Sequence, residues 1–361
     1  MCGVVGAIGN YAPQFSHKDI EEVIGHRGPD SNGIEKLNIG GIPSLFGHSR
    51  LSIVDLSSAG AQPMYSKNKK WLIVYNGEIY NHKNIRKDID INFTGHSDTE
   101  TLVEALAHWG IEKTLSMING IFAFAAYDIE NNAAYLVRDA FGVKPLYYHH
   151  GANGLAFASE VRALKRISGQ NFGLNRDALH SFLALRFTPS PETLYEGVAR
   201  LPPGSLARYD CTTGELIETR YIVRTSGAFK GSVDDAVEAY HDILSSAVKR
   251  QLLSDVRFGV FLSGGVDSAL VAALARENVN DLMAFTVGFG AHTAECEIAP
   301  ASHTARVLGI SHEHVLVDEQ MSWDALAPAI AHVEEPLGTT SILPMWYLSA
   351  LAGKHVKTVL T

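Results

Sequence analysis

The sequence predicts two domains of different class: an α+β layered domain, then an α/β domain with a doubly wound parallel sheet. Three observations carry this. At 361 residues the chain is longer than one typical domain and suits about two. Residues 1–210 hold many short apolar runs punctuated by Gly, Asn, Asp and Pro, the signature of strands with a few helices. From residue 233 onward, strand-like and helix-like patterns alternate, which builds a parallel sheet. Between them, residues 211–232 are polar and rich in Thr, Gly and Ser and read as a linker.

In the first domain the apolar runs predict strands over 3–8, 45–54, 71–80, 121–127, 134–138, 146–149 and 155–159. A helix is expected over 97–109. Ser97 followed by Glu100 is a capping box, and Leu102, Leu106 and Trp109 share a stripe. The second domain opens with a helix over 233–253, with Val233, Val237, Tyr240, Leu244 and Val248 at helical spacing. Strands follow over 256–262, 282–289, 314–317 and 356–361, and helices over 267–277, 298–308, 323–333 and 341–352. Ligands on such sheets bind beyond the carboxyl ends of the strands. The chain ends with its last strand, so it reads as truncated at its C-terminus, without the loop that would complete such a site.

Lys plus Arg is 30 and Asp plus Glu is 39, a formal charge of −9, and no basic block offsets it. A nucleic-acid partner is therefore not expected. No apolar run reaches the roughly 18 residues of a membrane helix. Cys2, Cys211 and Cys296 form no spaced framework, and the N-terminus lacks the basic residues of a signal peptide. A reducing, cytoplasmic location is expected.

Cys2 directly follows Met1. Removal of Met1 would leave a thiol beside a free α-amine, which is a built-in general base. The alternative is a small buried cysteine in a first strand. Other segments bear on this choice. They are His26-Arg27-Gly28-Pro29-Asp30, the run from Gly47 to Asp55, Gly60-Ala61-Gln62-Pro63-Met64, the run from Tyr75 to Asn81, Ser97-Asp98-Thr99-Glu100, and the run from Arg138 to Tyr148. With Cys2 they resemble the class II glutamine amidotransferases, and within that group the glutamine-hydrolysing asparagine synthetases. The resemblance implies an αββα N-terminal-nucleophile hydrolase. It implies that Cys2 attacks the side-chain amide of L-glutamine, with the Asn76 side chain and the Gly77 N–H as oxyanion hole. It also implies that Arg50 holds the α-carboxylate, that Asp98 takes the α-ammonium, and that Leu51, Ile53, Val54 and Glu78 complete the pocket. Each has a plainer reading. Asn76-Gly77 is a common hairpin turn, Asp98 complements a helix dipole, and Arg50 makes a surface ion pair. The run from Arg138 to Tyr148 is given no catalytic role.

The second constellation is Ser263-Gly264-Gly265-Val266-Asp267-Ser268, between a predicted strand and helix. Backbone N–H groups at such a turn face an anion, and the helix N-terminus adds partial positive charge. Ser263 and Ser268 can donate to phosphate. Asp267 cannot, so its natural partner is Mg²⁺. The string resembles the pyrophosphate loop of the ATP pyrophosphatases, the synthetase half of the same family. This implies MgATP as cosubstrate and backbone contacts to adenine at Leu262 and Val287. The implied reaction adenylates a carboxylate, which ammonia then converts to an amide. L-aspartate, giving L-asparagine, is the default acceptor. The stretch from Glu334 to Thr340 looks closer to relatives acting near sugar polymers, so a uronic acid or other carboxylate of a surface polysaccharide is the alternative. The partners expected are small-molecule substrates, and a homodimer is compatible with the sequence. His312 and His314 would share one strand face with no third ligand in view, so no structural zinc is expected.

Overall fold

A computed structural model describes residues 1–11, 15–222, 227–290 and 296–361. They form two compact units, Met1–Thr225 and Ser226–Thr361. In the first unit, β1 (Gly3–Gly9), β2 (Ser31–Ile39) and β3 (Ile42–Arg50) begin one sheet. β4 (Met64–Tyr65), β5 (Trp71–Ile79), β6 (Gly120–Asp128) and β7 (Ala133–Arg138) begin another. The chain returns to the first sheet with β8 (Tyr147–Gly151), β9 (Gly154–Ala158) and β10 (Ala199–Arg200). It closes the second with β11 (Ser205–Asp210) and β12 (Leu216–Arg220). The orders are β10-β8-β9-β1-β3-β2 and β12-β11-β7-β6-β5-β4. The helices of this unit are α1 (His17–Ile24), α2 (His82–Ile85), α3 (Asp98–Met117), α4 (Val161–Ser168) and α5 (Arg176–Leu185).

The strands are apolar on both faces, and the period of two sorts each face to its own layer. Val4 and Ile8 of β1, Phe46 of β3, Leu72 and Val74 of β5 and Ala123 and Ala125 of β6 join one core between the sheets. The alternate residues Val5 and Ala7 pack against α1 and α4. Trp71, Ile73 and Tyr75 pack against α3. The result is the four-layer αββα sandwich. Gly6 shares the inward phase of Val4 and Ile8, where a Cβ would lie 2.2 Å from the ring of Phe157 on the neighbouring strand β9; that ring occupies the space a side chain would need.

Several elements differ from expectation. The segment 211–232 is not all linker, because β12 lies within it, paired along β11; residues 223–226 of that segment lie outside the described residues. The predicted helix over 97–109 runs on to Met117 through a break at Gly110, where φ is 74°. Its capping box is half formed. Ser97 accepts from the Glu100 N–H, but the Glu100 carboxylate reaches past it to the N–H groups of Thr94 and Gly95. β2 had no sequence signal, since Ser31–Ile39 is a polar edge strand without clean alternation.

The second unit contains α6 (Val233–Gln251), β13 (Phe258–Phe261), α7 (Val266–Asn278), β14 (Met283–Phe289) and α8 (Ile298–Leu308). β15 (Ser311–Val317), α9 (Glu319–His332), α10 (Ile342–Ala352) and β16 (Thr358–Leu360) follow. Its sheet is parallel throughout, in the order β15-β14-β13-β16. Val248, Ala272, Leu274 and Ala305 cover one face and Leu348 and Ala352 the other, so the sheet is doubly wound. The strand order reverses at β13, which makes the carboxyl ends of β13 and its neighbours the natural ligand crevice. The predicted stripe on α6 is only half used: Leu244 and Val248 join the core, whereas Val233, Val237 and Tyr240 are exposed.

Between β7 and β8 the fully buried Asp139 carboxylate accepts four backbone N–H groups, from Phe122, Phe141, Val143 and Lys144. Removing it strands the buried Phe122 donor and three partly buried ones, each costing about 1–3 kcal/mol where water cannot replace the carboxylate. Asp139→Ala should therefore lower the unfolding free energy by about 3 kcal/mol or more in denaturant titration. A loss under about 1 kcal/mol would mean that water already serves those donors.

Candidate active site

Antiparallel pairing of β1 with β3 sets Gly3 opposite Ser49. One further step sets Cys2 beside Arg50 and Leu51. The Leu51 N–H donates to Cys2 Sγ at 3.3 Å, and the thiol faces the Leu51 carbonyl at 3.6 Å. Burial raises the thiol's pKa, so it rests protonated. Met1 carries the terminal amine in the translated chain, and burial lowers that amine to about 6. Arg27 Nε donates to the Cys2 carbonyl at 3.0 Å, and its Nη1 is held by the buried Glu160 at 2.8 Å.

Asn76 and Gly77 lie inside β5, not in a hairpin turn; they face Ala123 and Phe122 of β6. Asn76 shares the inward phase of Leu72 and Val74 and is almost fully buried. Its Nδ2 has no hydrogen-bond partner among the described residues. A buried amide donor without an acceptor is unfavourable by itself and is suited to a ligand oxygen.

The backbone edge of β5 is equally informative. β4 is only two residues long and pairs with Leu72 and Ile73 alone, so among the described residues β5 has no strand partner beyond them on that side. The Tyr75 N–H is taken by Gln62 Oε1 at 2.6 Å, and the Ile79 N–H by Asp98 Oδ2 at 2.9 Å. Strand alternation turns the Gly77 N–H to the same edge, between the two capped positions. A Cβ at Gly77 would lie 2.5 Å from the Ile121 carbonyl, so only glycine fits.

One cavity collects Cys2, Arg50, Leu51, Ile53, Val54, Asn76, Gly77, Glu78 and Asp98. All the residues predicted for the glutamine pocket therefore meet. Arg50 is buried, and its Nη1 donates to the Ser57 carbonyl at 2.7 Å. Asp98 begins α3 and accepts from Tyr75 Oη at 2.6 Å as well as from Ile79; burial nonetheless raises its pKa. Burial also raises Glu78 to about 7, against the attraction of Lys144.

Gln62, Tyr75 and Lys144 line the same cavity without having been foreseen. Lys144 is carried by the turn that Asp139 organises. Its ammonium pKa is lowered by burial and partly restored by Glu78. The sequence signal was the run from Arg138 to Lys144, in which a glycine with positive φ, Gly142, lets the turn close around a buried carboxylate.

In the second unit a cavity of about 700 Å³ opens at the carboxyl ends of the sheet, within the range of small-molecule sites. Leu262, Ser263, Ser268 and Val287 line it, with Phe289, Met345 and Thr361. Gly264, Gly265 and Asp267 are exposed beside it and do not line it. The two serine hydroxyls are 2.8 Å apart, and they also bond the loop's own N–H groups at Ser263 and Gly265. They hold the turn closed and leave the α7 N-terminus without a side-chain cap. Neither glycine has positive φ. Gly264 is needed because a Cβ would lie 2.9 Å from the Pro300 ring. No cluster of three or more His, Cys, Asp or Glu suited to a metal occurs among the described residues. One exposed carboxylate, Asp267, fits Mg²⁺ arriving on nucleotide phosphates and not a resident ion. His312 and His314 are separate from any such cluster; His312 instead bridges Thr286 and Ser302 at 2.8 and 3.1 Å.

The model of the glutamine amidotransferase domain matches residues 1–222, and that of asparagine synthase residues 239–361. The chain is 32% identical over 374 residues to glutamine-hydrolyzing asparagine synthetase 1 of Bacillus subtilis, covering 100% of this chain and 57% of that protein. A protein provisionally named glutamine-hydrolyzing asparagine synthetase in Mycobacterium tuberculosis is 34% identical over 93% of this chain and 53% of its own length. Another so named in Methanocaldococcus jannaschii is 30% identical over 100% of this chain and 73% of its own. The chain thus spans little more than half the length of the first two relatives.

The position of Glu78 has a pH signature. Burial raises its folded pKa from 4.5 to about 7, so the native state retains a proton that the unfolded state has lost. Its contribution is full below about 4.5 and is lost as pH rises towards 7. Wild type should lose stability relative to Glu78→Gln across that window in thermal melts. Parallel pH profiles for the two proteins would show that Glu78 ionises normally.

Proposed function

Because the chain belongs to the glutamine-hydrolysing asparagine synthetase family, we propose that its two cavities carry the halves of one amide-forming ligation. In the first unit, Cys2 Sγ adds to the side-chain amide carbon of L-glutamine. The thiol proton passes to the α-amine, which Cys2 carries once Met1 is removed. The developing oxyanion receives Asn76 Nδ2 and the Gly77 N–H. The C–N bond breaks, the nitrogen takes the proton and leaves as ammonia, and water cleaves the thioester to L-glutamate. Arg50 holds the α-carboxylate in its planar fork, and Asp98 the α-ammonium. Leu51, Ile53, Val54 and Glu78 wall the pocket. The observation that carries this reading is the unpartnered, buried Asn76 Nδ2 beside the Cys2 thiol.

In the second unit, ATP occupies the cavity at the carboxyl ends of β13 and β14. Leu262 and Val287 face its base, and the turn from Ser263 to Ser268 faces its phosphates. Asp267 would hold Mg²⁺, which supplies charge neutralisation to those phosphates. The acceptor carboxylate attacks the α-phosphorus and releases pyrophosphate; ammonia then displaces AMP to form the amide. The acceptor we assign is the β-carboxylate of L-aspartate, in keeping with the names of the relatives. We place the reaction in the cytoplasm, where free cysteines such as these three persist.

Glutamate release from L-glutamine tests the first half. Asn76→Ala should lower kcat by about a hundred- to a thousandfold with little change in KM, because the lost donor acts in the transition state. Unchanged kcat would remove Asn76 from the oxyanion site.

The second half is tested through ATP. Asp267→Asn should suppress aspartate-dependent pyrophosphate release and leave glutamate release from L-glutamine unchanged. Pyrophosphate release at the wild-type rate would remove Asp267 from the metal's coordination.

A further inference from the structure

Arg50 does not hold its place alone. Its Nη1 and Nη2 donate to the carbonyls of Ser57 and Asp55, two residues of one turn. The head group lies under Gly60, where a Cβ would fall 2.1 Å from Nη2. This turn requires left-handed backbone at Asp55, with φ of 58°, a region that few non-glycine residues enter and that aspartate tolerates through local side-chain hydrogen bonds. The Asp55 carboxylate makes such bonds and is almost fully buried. Oδ1 accepts from the Ser57 hydroxyl at 2.5 Å and from the Ser57 N–H at 3.1 Å.

Its second oxygen serves a different segment. Oδ2 accepts the His96 N–H at 2.8 Å, two residues before Asp98. The approach is so close that a Cβ at Gly95 would meet Oδ2 at 2.2 Å. One carboxylate therefore joins the turn that grips Arg50 to the irregular segment that leads into Asp98. Those are the two charges assigned above to the α-carboxylate and the α-ammonium of the substrate.

We propose that Asp55 is a positioning residue that sets the spacing between Arg50 and Asp98, and so makes the cavity select amides bearing both an α-carboxylate and an α-ammonium. The proposal rests on the glutaminase reading of this cavity. Asp55 itself touches no substrate. Its effect is on recognition of the α-substituents and not on bond cleavage at the amide, which Cys2, Asn76 and Gly77 perform.

The test compares wild type with Asp55→Asn and Asp55→Gly. Asparagine keeps the size and tolerates left-handed backbone, but offers an amide where two acceptors are needed. Glycine removes the backbone strain and the carboxylate together. Both variants should raise KM for L-glutamine on the order of tenfold, with kcat within about threefold of wild type. Hydrolysis of γ-aminobutyramide, which is glutamine without its α-carboxylate, should change by less than about threefold. The preference for glutamine should therefore shrink, an outcome that general loosening of the fold would not produce. Equal losses on both amides, or an unchanged KM for glutamine, would overturn the proposal.

Binding of L-glutamate, followed by its shift of the thermal melt, reads the same spacing without any chemistry. Weakening on the order of tenfold in Asp55→Asn supports the assignment even if wild type failed to hydrolyse glutamine, a failure that would count against the glutaminase reading alone. Glutamate bound equally by wild type and variant would overturn the role of Asp55. So would wild type that neither binds glutamate nor hydrolyses glutamine.

Discussion

The first unit is organised by the unfinished edge of β5. A strand edge buried in a protein must have its N–H groups satisfied. β4 serves two residues and stops, so side chains must serve the rest. Gln62 caps Tyr75 and Asp98 caps Ile79. The donor between them, at Gly77, is left facing the cavity, and the neighbouring Asn76 is turned inward with its own amide unpaired. A sandwich whose second sheet ended in a full strand would have no such opening. The two capping residues thus satisfy the strand edge and line the cavity at once. Asp98 satisfies the strand edge, begins α3 and presents its carboxyl group to the pocket.

Access to this edge from the opposite sheet follows from two alternations in phase. Phe46, His48 and Arg50 on β3 share the inward face, as do Leu72, Val74 and Asn76 on β5. The hydrophobic members build the core between the sheets, and the polar members come at its end, where the layers part. His48 shows how dry this region is. It bonds the Tyr75 carbonyl, and burial lowers its pKa to about 3, so it stays neutral beside Arg50. Besides the Cys2 thiol and the Tyr75 hydroxyl, the ionisable side chains that line the pocket are Arg50, Asp98, Glu78 and Lys144.

The second unit uses a different device. Its ligand crevice comes from topology, since the strand order reverses at β13 and the loops on its two sides diverge. The turn from Ser263 to Ser268 is self-sufficient because its hydroxyls satisfy its own backbone. That leaves the first N–H groups of α7 for an anion. Behind it, the partly buried His312 and the buried Thr286 and Leu262 carbonyl form a polar chain that fixes the end of β13.

By itself the sequence determined the fold class of both units and most strands, because apolar period two and alternating strand–helix patterns are local properties. Through the family resemblance carried by the order and spacing of Cys2, Arg50, Asn76-Gly77 and Asp98, it also named residues that the structure brings to one cavity. Three kinds of feature needed the tertiary structure. The polar edge strand β2 carries no pattern, since an edge needs little burial. The exposed half of α6 has a perfect helical stripe, because periodicity reports only that a face is apolar and not that anything covers it. Finally, Gln62 is fixed in the cavity by bonds to Tyr75 and Thr99, and Asp55 is tied behind it to His96, both across long stretches of chain. Cys2 and Leu51 meet across 49 positions and Asp55 and His96 across 41. Such contacts depend on sheet register and loop closure, which are set by the packing of the whole unit and by no single stretch of residues.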